Sequence, residues 1–434
     1  VESSKGVFVL QKAKSLGADK SGAASTLPEL SVSARAERNA VTEGTGTYAV
    51  KAVTIGKTEQ TLREIPQSVS VMTRQQMNDQ NFTTVGEALN QMTGVRGYGY
   101  ERDENFVIRG YNANTQFNGV PQQGSSGHYD LALYDRVEVL RGPAGLLTGS
   151  GEPGGTINYV LKRPQDVLTI SATAGLGSWN QQRSELDIGG PLNADGSLRG
   201  RTVMLYQDQD KFYDVGSNRD KLLYGVLEYD LTPSTTVGLW ASYSDRSYKT
   251  FWGLPTYSDG SLPSRRSTFV GIDKNAEDEG KNITMDFKHK FDSGWVAKGV
   301  YSYKNTQYTG FGVFSLTPVN IATGLSNDVR VGFIDTETTW RSMDVNLTGP
   351  VELFGRTHTF TIGYNKSDND YLGGSRYAST SNRDPLHHHH WDDVLNRNIL
   401  DKSQTYTEQS GIYASARIKL LDPLSVILGG RWSD

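Results

Sequence analysis

The sequence predicts an all-β membrane barrel with a compact α/β domain inside its lumen. Three observations carry this. From about residue 167 apolar and polar residues alternate in strand after strand. Short turns alternate with long connections along that series. A Gly/Pro-rich run within 133–160 separates the series from an upstream globular segment.

The alternation comes first. Leu168, Ile170, Ala172, Ala174 and Leu176 alternate with Thr169, Ser171, Thr173 and Gly175. Val237, Leu239, Ala241 and Tyr243 alternate with Thr236, Gly238, Trp240 and Ser242, and similar patterns recur over 360–365 and 412–420. A strand with one apolar and one polar face over about ten residues is what a tilted membrane strand needs. A soluble sandwich also alternates, so the connections decide. Segments 231–235, 291–294 and 421–423 read as short turns, whereas 247–280, 306–336 and 371–404 read as long connections. Short turns at one rim and long loops at the other mark a membrane barrel. Trp179, Trp240, Trp295, Tyr301, Tyr303 and Trp432 lie near strand ends, as interfacial aromatics do. Roughly eleven strands fit between 167 and 434, and a single-chain bacterial barrel closes with an even number. The expectation is therefore a barrel truncated at its C-terminal side.

The upstream segment is mixed. Ile65 to Met72 alternates like a strand, and Thr73 opens a short polar helix. Thr84 and Glu87 stand at capping-box spacing, with Val85, Ala88, Leu89 and Met92 following at helical spacing and Gly94 placed to stop the helix. Strands recur at 106–110, 134–140 and 156–161. Before this segment the chain is polar and rich in Lys, Ser, Ala, Gly and Thr, which is linker composition. Within it, Leu27-Pro-Glu-Leu-Ser-Val-Ser-Ala34 is a short extended apolar stretch, either a stray strand or a peptide that adds to a partner's sheet edge.

Composition narrows the function. The mean hydropathy is −0.51, and no apolar run is long enough for a membrane helix, which leaves barrels untouched. The net charge of −4 gives no argument for nucleic acid. With no cysteine, thiolate metal sites and disulfides are excluded. No catalytic constellation has a nucleophile-elbow or metalloprotease spacing, so an enzyme is not expected. The Gly-rich run 142–155 lacks the Lys-Ser/Thr of a phosphate loop. His387 to His390, followed by Trp391, cannot converge on one metal if extended, because neighbouring strand residues point oppositely. No direct metal site and no cofactor is expected.

These residues resemble the TonB-dependent outer-membrane receptors for ferric siderophores. Ile65-Pro-Gln-Ser-Val-Ser-Val-Met-Thr-Arg74, Val107-Ile-Arg-Gly-Tyr111, Arg136-Val-Glu-Val-Leu-Arg-Gly-Pro143, Gly154-Gly-Thr-Ile-Asn158 and Lys162-Arg-Pro164 look like the family's plug motifs. The likeness runs over 27–434. Thr42 to Tyr48 and Gln75 to Gln80 look most like the ferripyoverdine branch, which includes hydroxamate-siderophore receptors. The resemblance implies a 22-stranded barrel with a plugged lumen, about half of it present here. It implies four regions: 1–14 as the remnant of a periplasmic signalling domain, 15–59 as a linker, 60–164 as the plug, and 165–434 as the first part of the barrel. Within the linker Glu29, Leu30, Ser31, Val32, Ser33 and Ala34 would be the TonB box.

The implied protein sits in the outer membrane of a Gram-negative bacterium, embedded in the lipid bilayer. It binds a ferric siderophore, imports it intact with energy delivered by TonB, and reports the ligand to a periplasmic anti-sigma regulator. An importer of haem, cobalamin or another metal chelate is the alternative. Candidate ligand contacts are the plug residues Tyr98, Tyr100, Arg102, Gln116, Phe117, Gln122, Gln123, His128 and Tyr129, with Trp252, Tyr257 and Trp391 on the wall; aromatics with a few polar donors suit a bulky chelate. Arg109 and Arg141 would anchor the plug by pairing with glutamates on later strands.

Overall fold

The computed structural model describes residues 2–4, 7–9, 40–98, 105–122, 130–267, 275–386 and 402–434. Near the N-terminus β1 (Glu2–Ser4) and β2 (Val7–Val9) form a two-stranded antiparallel hairpin, a unit by itself.

The body from Arg38 onward holds two sheets. The smaller contains β3 (Ser68–Thr73), β4 (Val95–Tyr98), β5 (Asn105–Ile108), β6 (Tyr111–Phe117), β7 (Val120–Pro121), β8 (Tyr134–Arg141) and β9 (Gly155–Leu161). Its order is β3-β8-β9-β6-β5-β4, with β7 paired to β6, and only the β6–β9 pair is parallel. Helix α1 (Arg74–Asp79) starts where Thr73 accepts from the Gln76 N–H, and α2 (Val85–Asn90) carries the complete Thr84/Glu87 capping box. Both caps satisfy helix N–H groups that have no intrahelical partner. The Gly/Pro run between β8 and β9 contains one helical turn, α3 (Gly145–Thr148), where the sequence suggested only a hinge. Gly155 there has φ 142°, and a Cβ would strike the Leu140 carbonyl oxygen, so the close β8–β9 approach requires glycine.

The larger sheet has eleven antiparallel strands in chain order. They are β10 (Thr169–Leu176), β11 (Gln182–Pro191), β12 (Leu198–Asp210), β13 (Ser217–Thr232), β14 (Thr235–Tyr248), β15 (Ala276–Lys290), β16 (Val296–Ser315), β17 (Val329–Leu353), β18 (Arg356–Thr380), β19 (Ser403–Leu421) and β20 (Leu424–Ser433). One rim carries the tight connections 192–197, 233–234, 291–295, 354–355 and 422–423; the other carries the long ones, 249–275, 316–328 and 381–402. Outward residues such as Leu227, Leu239, Met285 and Tyr301, opposite one another in the register, stay 44–56% exposed and form an apolar exterior. The inward row at the same height, Val226 and Trp240, is buried.

Two readings of the sequence change here. Trp240 is 2% exposed and faces the plug, so it is no interfacial girdle residue; alternation alone does not say which face an aromatic takes. The connections expected over 306–336 and 371–404 shrink to 316–328 and 381–402, because β16 runs for 20 residues and β17 and β18 for 25 each. About 9–11 residues cross the hydrocarbon. The rest of each strand stands on the long-loop side, where loop residues such as Leu254 and Leu386 pack on Phe311, Val313, Val329 and Val331 and the apolar alternation no longer reports lipid.

The plug sits against the inner face of this sheet. Its core of Met77, Leu89, Ile108, Val137, Ile157 and Tyr159 continues into the wall through Val203, Leu205, Tyr224, Val226 and Trp240. Among the described residues the packed body already includes Ala40, upstream of the boundary at 60: Val53, Ile55 and Leu140 form a cluster of their own.

Candidate functional site

The segment 40–60 lies along the plug on carboxylates of β8. Asp135 accepts from the Thr42 N–H (3.0 Å) and the Glu43 N–H (2.8 Å), and Glu138 accepts from the Thr54 N–H (2.9 Å). Glu138 is fully buried, yet it also accepts from Arg136 Nε (2.7 Å) and Asn158 Nδ2 (3.0 Å). A buried carboxylate persists when it is paired and its remaining lone pairs are bonded. Burial pulls the Arg136 guanidinium down, but the charges of Glu138 and Asp135 outweigh this and raise it.

Ionic contacts tie plug to wall. Arg201 on β12 uses all five N–H donors: Glu43 takes two (2.6 Å each), Asp187 takes two (2.7 Å each) and the Arg163 carbonyl takes one (2.9 Å). Lys162, at the plug exit, also reaches Asp187 at 2.8 Å. Burial pushes the Glu43 carboxyl up, but the hydrogen bonds and charge of Arg201 prevail and hold it below its ordinary 4.5. Arg163 bridges Glu228 and Asp286 and lies over the Trp240 ring. Lys57 pairs with Asp344 on β17 at 2.9 Å. Along β17, away from the short-turn rim, Ser342 donates to the Pro121 carbonyl (3.0 Å), and Lys304 stands over both the Phe117 ring (5.2 Å) and the Trp340 ring (5.0 Å).

Several ligand candidates fall into this packed contact. Gln116 and Gln122 are 1% and 2% exposed, and Phe117 packs on Tyr159 at 5.1 Å. Tyr98 is open, its hydroxyl donating to Asn112 (2.8 Å). Trp252 lies on the inner side of the upper wall, over Gly312 and Gly332, beside Phe314 (5.9 Å), which in turn meets Tyr377 at 6.1 Å. Neither glycine could carry a side chain beneath that indole, so the sequence leaves a bare shelf for it. Tyr257 bridges to Val319 in the same loop region. Tyr100, Arg102, Gln123, His128, Tyr129, Trp391, the His387–His390 run and the box at Glu29–Ala34 lie outside the described residues.

Arg109 and Arg141 meet beside Gly94. Arg109 is exposed with φ 54°, whereas Arg141 is buried and donates to the Thr93 carbonyl (2.9 and 2.6 Å) and to Ser70 Oγ (2.8 Å). Among the described residues neither pairs with a carboxylate. Burial, and then the charge of Arg109, lower the Arg141 guanidinium. Sequence reasoning missed Glu43, Lys57, Arg201, Lys304, Asp344, Phe314 and Tyr377. One signal was available: Asp187, Arg201, Glu228, Asp286 and Asp344 are charges in mid-strand on the polar face, where a water-lined or plug-facing wall would put them.

An α/β plug bound by buried ion pairs to the inner face of an antiparallel sheet with a lipid-facing exterior defines a plugged outer-membrane barrel. The chain belongs to the TonB-dependent receptors: residues 61–156 match the TonB-dependent receptor plug domain, and 223–434 match the TonB-dependent receptor-like β-barrel. Relatives include the ferric-pyoverdine M114 receptor of Pseudomonas sp. (strain M114), 37% identical over 91% of this chain and 50% of that protein. The ferripyoverdine receptor of Pseudomonas aeruginosa is 32% identical over 91% of this chain and 51% of that one. The crystal structure of the P. aeruginosa ferripyoverdine receptor bound to ferripyoverdine superimposes with a TM-score of 0.82 at 30% identity, covering 91% of this chain and 55% of that chain. The alcaligin outer-membrane receptor of Bordetella pertussis gives a TM-score of 0.68 at 27% identity, over 91% and 60%. The chain spans about half the length of the curated relatives it matches. Its relatives are receptors rather than enzymes, and its place is the outer membrane of a Gram-negative bacterium.

Proposed function

We propose that this chain is part of a receptor that binds a ferric siderophore of the pyoverdine class outside the cell and imports it intact, with energy delivered by TonB. The observation that carries the reading is a plug covering the inner wall in a chain whose relatives, over 91% of its length, are ferric-pyoverdine receptors. A plug held by buried ion pairs blocks passive diffusion. The outer membrane offers no nucleotide fuel, so the plug must be moved from the periplasmic side. An extended box at Glu29–Ala34 suits this, since an added strand bears load through several backbone hydrogen bonds at once. The ligand bound above and TonB bound below are then reciprocally linked.

The ligand meets the outward plug face and upper wall, where Tyr98, Trp252 and Tyr257 are the candidates among the described residues. Arg109 and Arg141 anchor the plug through barrel carboxylates. The chain divides into the regions 1–14, 15–59, 60–164 and 165–434, with the packed segment 40–59 acting as part of the plug. A second role, reporting the ligand to a periplasmic anti-sigma regulator, rests on the N-terminal hairpin as the end of a signalling domain.

The test is uptake of iron-loaded siderophores by cells carrying the full-length receptor, with and without residues 29–34. Saturable uptake of ferric pyoverdines that disappears with the deletion is expected. Binding of haem or cobalamin with no binding of any ferric siderophore would refute the reading.

A further inference from the structure

The segment 40–60 contains one non-glycine residue in the left-handed region. Lys57 stands at the tip closed by the Val53–Gln60 bridge, and its φ is 75°. That left-handed region is sterically costly for a residue with a Cβ, yet it falls on the lysine and not on the neighbouring Gly56. The turn holds it there through the bond from the Lys57 N–H to the Thr54 carbonyl (3.0 Å), and contacts at the far end of the side chain hold it further.

Those contacts are present. Lys57 Nζ donates to the Gly119 carbonyl at 2.7 Å and to Asp344 Oδ2 at 2.9 Å, and the two charged side chains are 3% and 4% exposed. Gly119 turns the β6–β7 hairpin, and Asp344 lies on the inner face of β17. One ammonium thus joins the N-terminal segment, the plug sheet and the wall. The carboxylate has further donors: Asn346 Nδ2 at 2.9 Å, Tyr413 Oη at 3.2 Å and Asn365 Nδ2 at 3.5 Å. All three belong to the wall. Lys57 is its one ionic partner among the described residues.

We propose that Lys57 and Asp344 form a releasable latch: positioning residues that hold the N-terminal segment and the β6–β7 hairpin against the wall in the resting receptor, and part when the segment is drawn from its N-terminal end. The inference deepens the transport reading and rests on it. The asymmetry makes the latch reversible. When Lys57 leaves, Asp344 keeps its neutral wall donors, so the receiving site stays formed. The departing ammonium is on a segment that moves toward water. A pull from the N-terminal side meets the Glu43–Arg201 clamp first and Lys57 next, before it reaches β3. Past Lys57 the segment meets the wall through the more open pairs Glu59–Lys288 (3.9 Å) and Glu64–Arg417 (3.7 Å), so among the described residues Lys57 is the last buried ionic tie ahead of the plug sheet.

The chain has no cysteine, so Ala52→Cys, at a position of 0% exposure between the two ties, is the one thiol within it, and any cysteine elsewhere in the full-length receptor is replaced by serine. Maleimide labelling of the full-length receptor in outer-membrane vesicles, without siderophore, reads the release of the segment. Lys57→Met keeps the side-chain stem and removes the charge; Asp344→Asn tests the same contact from the wall. Both are expected to speed labelling about a hundredfold, as loss of one partner of a buried ion pair implies. The double variant should label no faster than either single one. Lys57→Arg should stay near the parent, and ferric-pyoverdine affinity should not change. Parent-like labelling of both single variants overturns the latch. So does faster labelling accompanied by lost ligand affinity or a lower barrel melting temperature, since that marks a general structural role. A parent that takes up no siderophore defeats the transport reading, while the labelling rates still decide the latch.

Discussion

Replacing Arg201 by methionine tests whether the buried ionic clamp holds the N-terminal segment on the receptor. The side chain is 3% exposed and all five of its N–H groups are used. Methionine keeps the packing of the stem and removes every donor. Asp187 retains Lys162, but Glu43 loses the one ion pair it makes among the described residues. Breaking a buried pair costs about 3–5 kcal/mol. Glu43 is 19% exposed and rehydrates in part, which places the loss at the lower end, about 3 kcal/mol. That is about a hundredfold in the opening equilibrium of the segment. The Thr42 and Glu43 amides both donate to Asp135, so their hydrogen exchange reports this opening. Exchange at both should speed by about a hundredfold in Arg201→Met, and by about tenfold in Arg201→Lys, which keeps the charge and loses the fork. Unchanged exchange at both amides in Arg201→Met would refute the clamp, because the contact would then contribute nothing to holding the segment.

Three further outcomes follow from the geometry. Glu43 has a lowered folded pKa, so its contribution is complete at neutral pH and is lost as the pH falls below 4.5 through the lower folded value; protection of the Thr42 amide should decline in that window and not above it. Gly155→Ala drives a Cβ into the Leu140 carbonyl within the β8–β9 ladder and should cost about 3 kcal/mol, lowering the thermal midpoint, while Gly225→Ala on β13, with open space around it, should leave the midpoint unchanged. Trp252→Ala removes the indole from the upper-wall shelf and should raise the ferric-pyoverdine Kd about tenfold in a fluorescence titration with the circular dichroism spectrum intact; an unaltered Kd removes Trp252 from the ligand site.

Local rules were legible because their physics is local. The Thr84/Glu87 box, the Thr73 cap and the turn residues each act within a few positions, and the structure places them as the sequence implies. The eleven strands were countable because lipid and lumen impose opposite chemistry on alternate side chains. Trp240 and the ends of β17 and β18 were misread where that contrast fails: an aromatic suits either face, and on the long-loop side loop residues such as Leu254 and Leu386 pack on the strands. Gln116 and Gln122 read as polar donors suited to a ligand; the structure buries both, in the β6–β7 hairpin region where Ser342 of β17 donates to the Pro121 carbonyl.

By itself the sequence determined the barrel-and-plug class, the caps and the strand periodicity, since one face of each strand had to be apolar and each helix start had to satisfy its own N–H groups. Only the tertiary structure decided the pairs Glu43–Arg201 and Lys57–Asp344, whose members stand 158 and 287 residues apart. A charge on the polar face of a strand announces that it needs a partner; which partner it meets depends on strand register and on the seating of the plug, and those are set by packing over the whole body.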